Sequence, residues 1–206
     1  MSYLIAAGLG YLLGSSNMAY YIAKWKKADL SAAGSGNLGA SNATILLGWW
    51  AGVLVFLHDA GKAVLAVLIA RALFPQAEFI GAVAGIAGVL GHIFPFYLKF
   101  KGGKGFAAYL GMTIALEWKL FLIIGVAIVV VTLITDYIVC GTFATILTVP
   151  IYTGITSRSF LAACILLIGT AVIFYKHREN IPRMLNGTEI GLRSTIRGDN
   201  KLKKGK

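Results

Sequence analysis

The chain has 206 residues, 58% of them hydrophobic and 13% charged, with a mean hydropathy of +0.78. Soluble domains run at about 45–50% apolar and about 25% charged, so this composition excludes an ordinary soluble domain. The net charge of +11 lies between apolar runs and in the tail rather than on a separate polar arm; it fits membrane topology and anionic headgroups, not nucleic acid.

Seven apolar runs follow one another, at approximately 3–23, 47–73, 78–98, 106–116, 119–136, 138–156 and 159–175. Backbone polar groups in lipid must be satisfied within the segment, so each run is expected to be helical. The first lacks a basic leader and is followed by further spans, so it reads as a mature helix and not as a signal peptide. The fourth is too short to cross about 30 Å upright and is expected to be a thin or broken helix. The fifth and sixth are separated by the pair Thr135-Asp136 alone. The expected fold is therefore all-α, a polytopic membrane domain of about seven helices over residues 1–190 with a basic tail at 191–206.

Charge tests the span count. With the N-terminus outside and seven spans, the inner segments hold Lys24, Lys26, Lys27, Lys99, Lys101, Lys104 and nine basic residues from Lys176 onward. The outer segments hold only Arg71, Lys119 and Arg158, and Lys62 lies within a run. Fifteen against three is a strong positive-inside bias, and it places the C-terminus in the cytoplasm. Six spans would put the loop at 99–104 and the tail on opposite sides.

Three inner segments differ from plain connectors. The segment at 99–105 reads Lys-Phe-Lys-Gly-Gly-Lys-Gly. Glycines allow close backbone approach, successive N–H groups can form an anion nest, and lysine adds a point charge for phosphate. A helix beginning near Phe106 would aim its positive end at the same place. The Gly-x4-Gly-Lys-Ser/Thr pattern of a Walker loop is absent, and a flexible basic loop on headgroups is the simpler alternative. The segment at 34–42 interleaves Gly34, Gly36 and Gly39 with Ser35, Asn37, Ser41 and Asn42, side chains able to bind a phosphate or a polyol, or merely to make turns. The third holds His177, Arg178, Glu179 and Asn180, then Arg183 and 186–189, with His177 and Asn180 spaced to share a helix face.

Other polar residues read as structural. His92 precedes Pro95, which should bend that helix end. Asp59 and Lys62, at i and i+3 within the second run, can pair and so relieve the cost of charge in lipid. Cys140 and Cys164 lie in apolar runs with neither metal-ligand nor disulfide spacing. The histidines show no metal spacing, and no nucleophile elbow or acidic pair is present, so neither a metal nor a cofactor is expected.

Taken together, the segments resemble the bacterial acyl-phosphate:glycerol-3-phosphate acyltransferases, the PlsY family. The resemblance rests on Gly-Ser-Gly-Asn-Leu-Gly-Ala-Ser-Asn at 34–42, Gly-His-Ile-Phe-Pro at 91–95 and Phe-Lys-Gly-Gly-Lys-Gly at 100–105. His-Arg-Glu-Asn-Ile at 177–181, Asn-Gly-Thr-Glu at 186–189 and the Asp59–Lys62 spacing complete it. It implies a multi-pass protein of the bacterial cytoplasmic membrane with its motifs on the cytoplasmic side. It also implies transfer of a fatty acyl group from acyl-phosphate to glycerol 3-phosphate, giving lysophosphatidic acid for phospholipid synthesis. Ser35, Lys104, His177 and Asn180 would carry the catalysis. Asn37, Gly39, Asn42, His92, Gly102, Gly103, Gly105 and Thr142 would bind substrate, with the acyl chain among lipid-facing helices. The donor is already activated, so positioning and charge stabilisation suffice without a strong base.

Three places depart from the family pattern. Ile45 stands where relatives usually carry arginine. Asp136-Tyr137-Ile138-Val139 replaces an Arg-Tyr-x-Ser stretch, and Thr142 replaces a serine. A non-catalytic or acceptor-altered paralogue that binds lipid or phosphate is therefore the alternative. An anion transporter fits less well, because the polar features gather on one side and no internal repeat is present.

Overall fold

The computed structural model describes residues 1–30 and 36–197. These form two compact units, Met1–Trp118 and a second beginning at Lys119.

In the first unit, the first apolar run is two helices rather than the expected one: α1 (Ser2–Ser15) and α2 (Met18–Trp25). The break falls at Ser16 and Asn17. Ser16 is extended (φ −54°, ψ 135°), and the Asn17 side chain accepts the Tyr20 N–H at 2.9 Å to cap α2. Short polar side chains that bond nearby backbone favour caps over helix interiors, which is why the helix stops here.

Next come α3 (Ala40–Leu47), α4 (Trp49–Leu73) and α5 (Ile80–Ile93). Beyond α5, Pro95 opens a single 3-10 turn, Phe96–Leu98, and the lysine loop leads to α6 (Phe106–Leu116). The chain bends at Pro95 and restarts at Phe106, as expected. α6 is short, at 11 residues. α1 and α5 approach backbone to backbone: a Cβ on Gly10 would collide with the Ala84 carbonyl, and one on Gly14 with the Gly88 carbonyl. Small residues at such a seam give the van der Waals contact that drives helix association in lipid.

The second unit contains α7 (Trp118–Thr135, its first residue in the first unit), α8 (Ile138–Thr156) and α9 (Phe160–His177). Two short helices follow, α10 (Asn180–Leu185) and α11 (Leu192–Ile196). The break between α7 and α8 lies at Asp136, whose φ of 74° ends the helix where the polar pair was expected to end it. α7 leaves Leu122, Ile123, Val126, Val130 and Leu133 exposed, a surface suited to acyl chains and not to water. α8 and α9 are tied by Thr170, whose Oγ1 donates to the Ile146 carbonyl at 2.6 Å, and by the Phe143–Phe174 ring pair.

Among the described residues five helical segments are long and apolar enough to cross a bilayer: Trp49–Leu73, Ile80–Leu98, Trp118–Thr135, Ile138–Thr156 and Phe160–His177. The chain is thus an all-α, multi-pass membrane protein.

Candidate functional site

The first unit brings two of the three motif segments into direct contact. The Leu38 N–H donates to the Gly102 carbonyl at 3.4 Å, joining the segment at 36–42 to the lysine loop. The Asn17 amide donates to the Leu38 carbonyl at 3.3 Å, so the break between α1 and α2 braces the same segment. Within it, the Asn37 side chain accepts the Gly39 N–H at 3.0 Å, and Gly39 caps α3. Asn42 is fully buried, and its amide donates to the Leu30 and Asn37 carbonyls, each at 2.9 Å. Both amide hydrogens of Asn42 thus shape the loop. Ser35 lies outside the described residues.

The lysine loop is built differently from an open nest. The Gly102 N–H donates to the Ile93 carbonyl at 3.1 Å and the Gly103 N–H to the His92 carbonyl at 3.2 Å. These two donors are spent inside the protein, which corrects the expectation that they would face an anion. Gly103 is required for another reason: a Cβ there would run into the His92 imidazole at Nε2. Lys99 and Phe100 sit in the left-handed region at φ 52° and 59°, so the turn before the glycines is itself strained. Gly105, at φ 95°, turns the chain into α6. The positive end of that helix therefore begins directly after half-buried Lys104.

Beneath the loop lies a buried ionic cluster. Lys62 Nζ donates to Asp59 Oδ1 at 2.8 Å, to the Ser16 carbonyl at 2.6 Å and to His92 Nδ1 at 3.0 Å. His92 Nδ1 also lies 3.2 Å from Asp59 Oδ1. His58 reaches the cluster from its edge, with Nε2 at 3.0 Å from Ser16 Oγ and Nδ1 at 3.5 Å from Asp59 Oδ1. The expected Asp59–Lys62 pair is present, and it joins α1, α4 and α5. Removing one partner of such a buried pair typically costs about 3–5 kcal/mol.

The third segment belongs to the second unit. His177 is buried at the end of α9, with Nδ1 2.9 Å from the Ile173 carbonyl and its ring against Phe143. Asn180 begins α10 after a turn, so the two residues do not share one unbroken helix. The Asn180 amide donates to Glu189 Oε1 and Arg183 Nε donates to Glu189 Oε2, both at 2.8 Å. Glu189 thus folds the segment onto itself. Thr142, on α8, is buried and donates to the Ile138 carbonyl at 3.3 Å. Asp136 binds the chain's own backbone: Oδ1 accepts the Arg193 N–H and its carbonyl accepts the Leu192 N–H, each at 2.8 Å. Among the described residues, no cluster of histidine, cysteine and carboxylate side chains could hold a metal ion.

A family model described as glycerol-3-phosphate acyltransferase matches residues 4–187. The chain belongs to the glycerol-3-phosphate acyltransferase family. It is similar to a glycerol-3-phosphate acyltransferase of Coxiella burnetii, 39% identical over 190 residues, covering 92% of this chain and 97% of that one. A Prochlorococcus marinus glycerol-3-phosphate acyltransferase is 38% identical over 189 residues, covering 90% and 95%. Among solved structures, PlsY, an integral membrane glycerol 3-phosphate acyltransferase, matches in its glycerol 3-phosphate form. The TM-score is 0.87 at 34% identity, over 95% of this chain and 98% of PlsY. Its lysophosphatidic acid form matches with a TM-score of 0.82, over 93% and 95%.

For this member of the acyltransferase family, sequence reasoning located the motif segments, including Glu189 in the third, but missed Ser16 and Asn17, which brace the lysine loop and the segment at 36–42. Asn17 carried a readable signal, a capping residue three positions before Tyr20, although it was embedded in an apolar run.

Proposed function

We propose that this protein transfers a fatty acyl group from acyl-phosphate to the 1-hydroxyl of glycerol 3-phosphate. The hydroxyl oxygen bonds to the acyl carbonyl carbon, the carbon–oxygen bond to phosphate breaks, and the hydroxyl proton leaves on inorganic phosphate. Lysophosphatidic acid remains in the membrane and enters phospholipid synthesis. The reaction balances with no cofactor and no metal.

The observation that carries this reading is the direct contact between the segment at 36–42 and the lysine loop. It sets a group of polyol-binding side chains beside a lysine and a helix N-terminus suited to phosphate. Lys104 and the turn Gly102, Gly103 and Gly105 hold the acyl-phosphate, the glycines by shape and Lys104 by charge. Ser35, Asn37 and Lys104 bind glycerol 3-phosphate, with Gly39 and Asn42 fixing the backbone that presents Asn37. His92 supports the loop from beneath. His177 and Asn180 orient the polar groups of the substrates, and Thr142 adds to the acceptor's surroundings. The donor's leaving group is good, so orientation and charge stabilisation supply the rate.

The reading extends to placement. The protein resides in the bacterial cytoplasmic membrane with seven spans. α1 and α2 together make the first and α6 the fourth, with the N-terminus outside and the C-terminus inside. Residues 1–190 form the membrane domain and 191–206 its basic tail, of which α11 folds back on Asp136. An acceptor-altered or non-catalytic paralogue is favoured by two observations. Ile45 puts no charge on α3, and Asp136 is engaged with the chain's own backbone.

Purified protein supplied with acyl-phosphate should release inorganic phosphate only when glycerol 3-phosphate is added. Lys104→Ala should lower that rate by about 100-fold or more, as for loss of a preorganised charge at the reacting group. Binding of either substrate without turnover would establish the paralogue reading instead, and turnover with a different phosphorylated polyol would identify an altered acceptor.

A further inference from the structure

The ionic cluster beneath the lysine loop is buried, and three polar contacts converge on Lys62 Nζ, while Asp59 Oδ2 and His58 Nδ1 make no hydrogen bond. An ammonium group has three N–H bonds. Lys62 Nζ has three polar neighbours, the Ser16 carbonyl, Asp59 Oδ1 and His92 Nδ1. His92 Nδ1 faces both Lys62 Nζ at 3.0 Å and Asp59 Oδ1 at 3.2 Å, so the pair holds that edge of the ring in either tautomer. The opposite edge, Nε2, lies against Gly103. The same histidine also receives the Gly103 N–H on its backbone carbonyl, and its neighbour Ile93 receives that of Gly102. His92 therefore holds the loop at two points, by its carbonyl and by its ring. Its ring angle is fixed by Lys62, which in turn is fixed by Asp59 and by the end of α1.

We infer that Asp59 and Lys62 are positioning residues for the lysine loop. Acting through His92, they set the height and tilt of Gly102–Lys104 and hence the affinity for a phosphate-bearing donor. The kinetic half of this inference rests on the acyl-phosphate reading above, whereas the structural half does not. Ser16 is part of the same assembly, because the carbonyl that takes the third Lys62 hydrogen is exposed only by the break between α1 and α2. An unbroken first helix would have used that carbonyl for its own ladder.

Amide hydrogen exchange on the full-length protein in detergent tests the structural half, with steady-state kinetics run in parallel. The variants are Lys62→Met, the neutral double variant Asp59→Asn/Lys62→Met, and Gly103→Ala, which keeps both charges but puts a methyl against the ring. In each, exchange at residues 102–104 should accelerate about tenfold or more while α8 and α9 keep their protection. KM for acyl-phosphate should rise about tenfold with kcat within about threefold, the signature of lost binding and not of lost chemistry. Loop exchange within about twofold of the parent in the double variant, with α1–α6 still protected, would overturn the inference. So would loss of protection throughout α1–α6 in both charge variants, which would assign the pair to the fold and not to the loop. An inactive parent protein would remove the acyltransferase reading and leave the exchange result to decide the positioning role.

Discussion

At Asp136 the backbone enters the left-handed region (φ 74°), a conformation that costs an L-residue roughly 1 kcal/mol or more. The carboxylate offsets this by accepting the Arg193 N–H, with Arg193 Nε a further 4.0 Å away. The Asp136 side chain thereby anchors α11. Asp136→Ala should release that helix: the lost contact is worth about 1 kcal/mol, so tryptic cleavage after Arg193 should quicken about fivefold. Quantifying the cut fragment over time checks it. Ile45 is a second departure expected from the resemblance. It is half-buried on α3, three residues beyond Asn42. Ile45→Arg adds a guanidinium for the acceptor phosphate, so KM for glycerol 3-phosphate should fall about tenfold, one charged hydrogen bond's worth. An unchanged KM would show that this acceptor phosphate is clamped without that position.

Among the elements, α1 and α5 carry the clearest stability prediction. Gly14 meets the Gly88 carbonyl, whereas a Cβ on Gly8 would have open space around it. Gly14→Leu should therefore destabilise the first unit by about 3 kcal/mol or more, and Gly8→Leu should be nearly neutral. Thermal unfolding of the two variants in detergent separates them. The element pattern was legible in the sequence where polarity changed along the chain. Thr135-Asp136, Pro95 and Gly105-Phe106 each mark a boundary because a polar, cyclic or Cβ-less residue interrupts an apolar run. At Ser16-Asn17 the capping residue was the only local signal, embedded in an apolar run, and the partners that brace the break, Lys62 and His58, lie 42 or more positions away. The loop's glycines were legible as a point of close backbone approach, but what they approach was not. Composition shows that a backbone can approach something closely, not that the thing approached is His92.

For the molecule as a whole, charge asymmetry predicts an orientation that labelling can check. In a Cys140→Ala/Cys164→Ala background, Arg158→Cys should react with a membrane-impermeant maleimide on intact cells. Lys101→Cys should react only after permeabilisation. The reverse pattern would invert the topology and move the lysine loop away from cytoplasmic glycerol 3-phosphate. The length of α6 adds a vertical coordinate to this map. Eleven residues span roughly 16 Å at 1.5 Å each, about half the hydrocarbon thickness. With the Glu117-Trp118 end at one surface, the Gly105 end lies sunk well below the other, where irregular backbone survives only if its N–H groups are already bonded. Those of Gly102 and Gly103 are. On the proposed seven-span placement, the lysine loop would then form the floor of a recess whose depth depends on the host bilayer. On that placement, a thicker membrane would lengthen the descent for the water-soluble acceptor while the donor, already dissolved in lipid, would arrive sideways at no extra cost, so lipid thickness would act as a selective brake on one substrate alone.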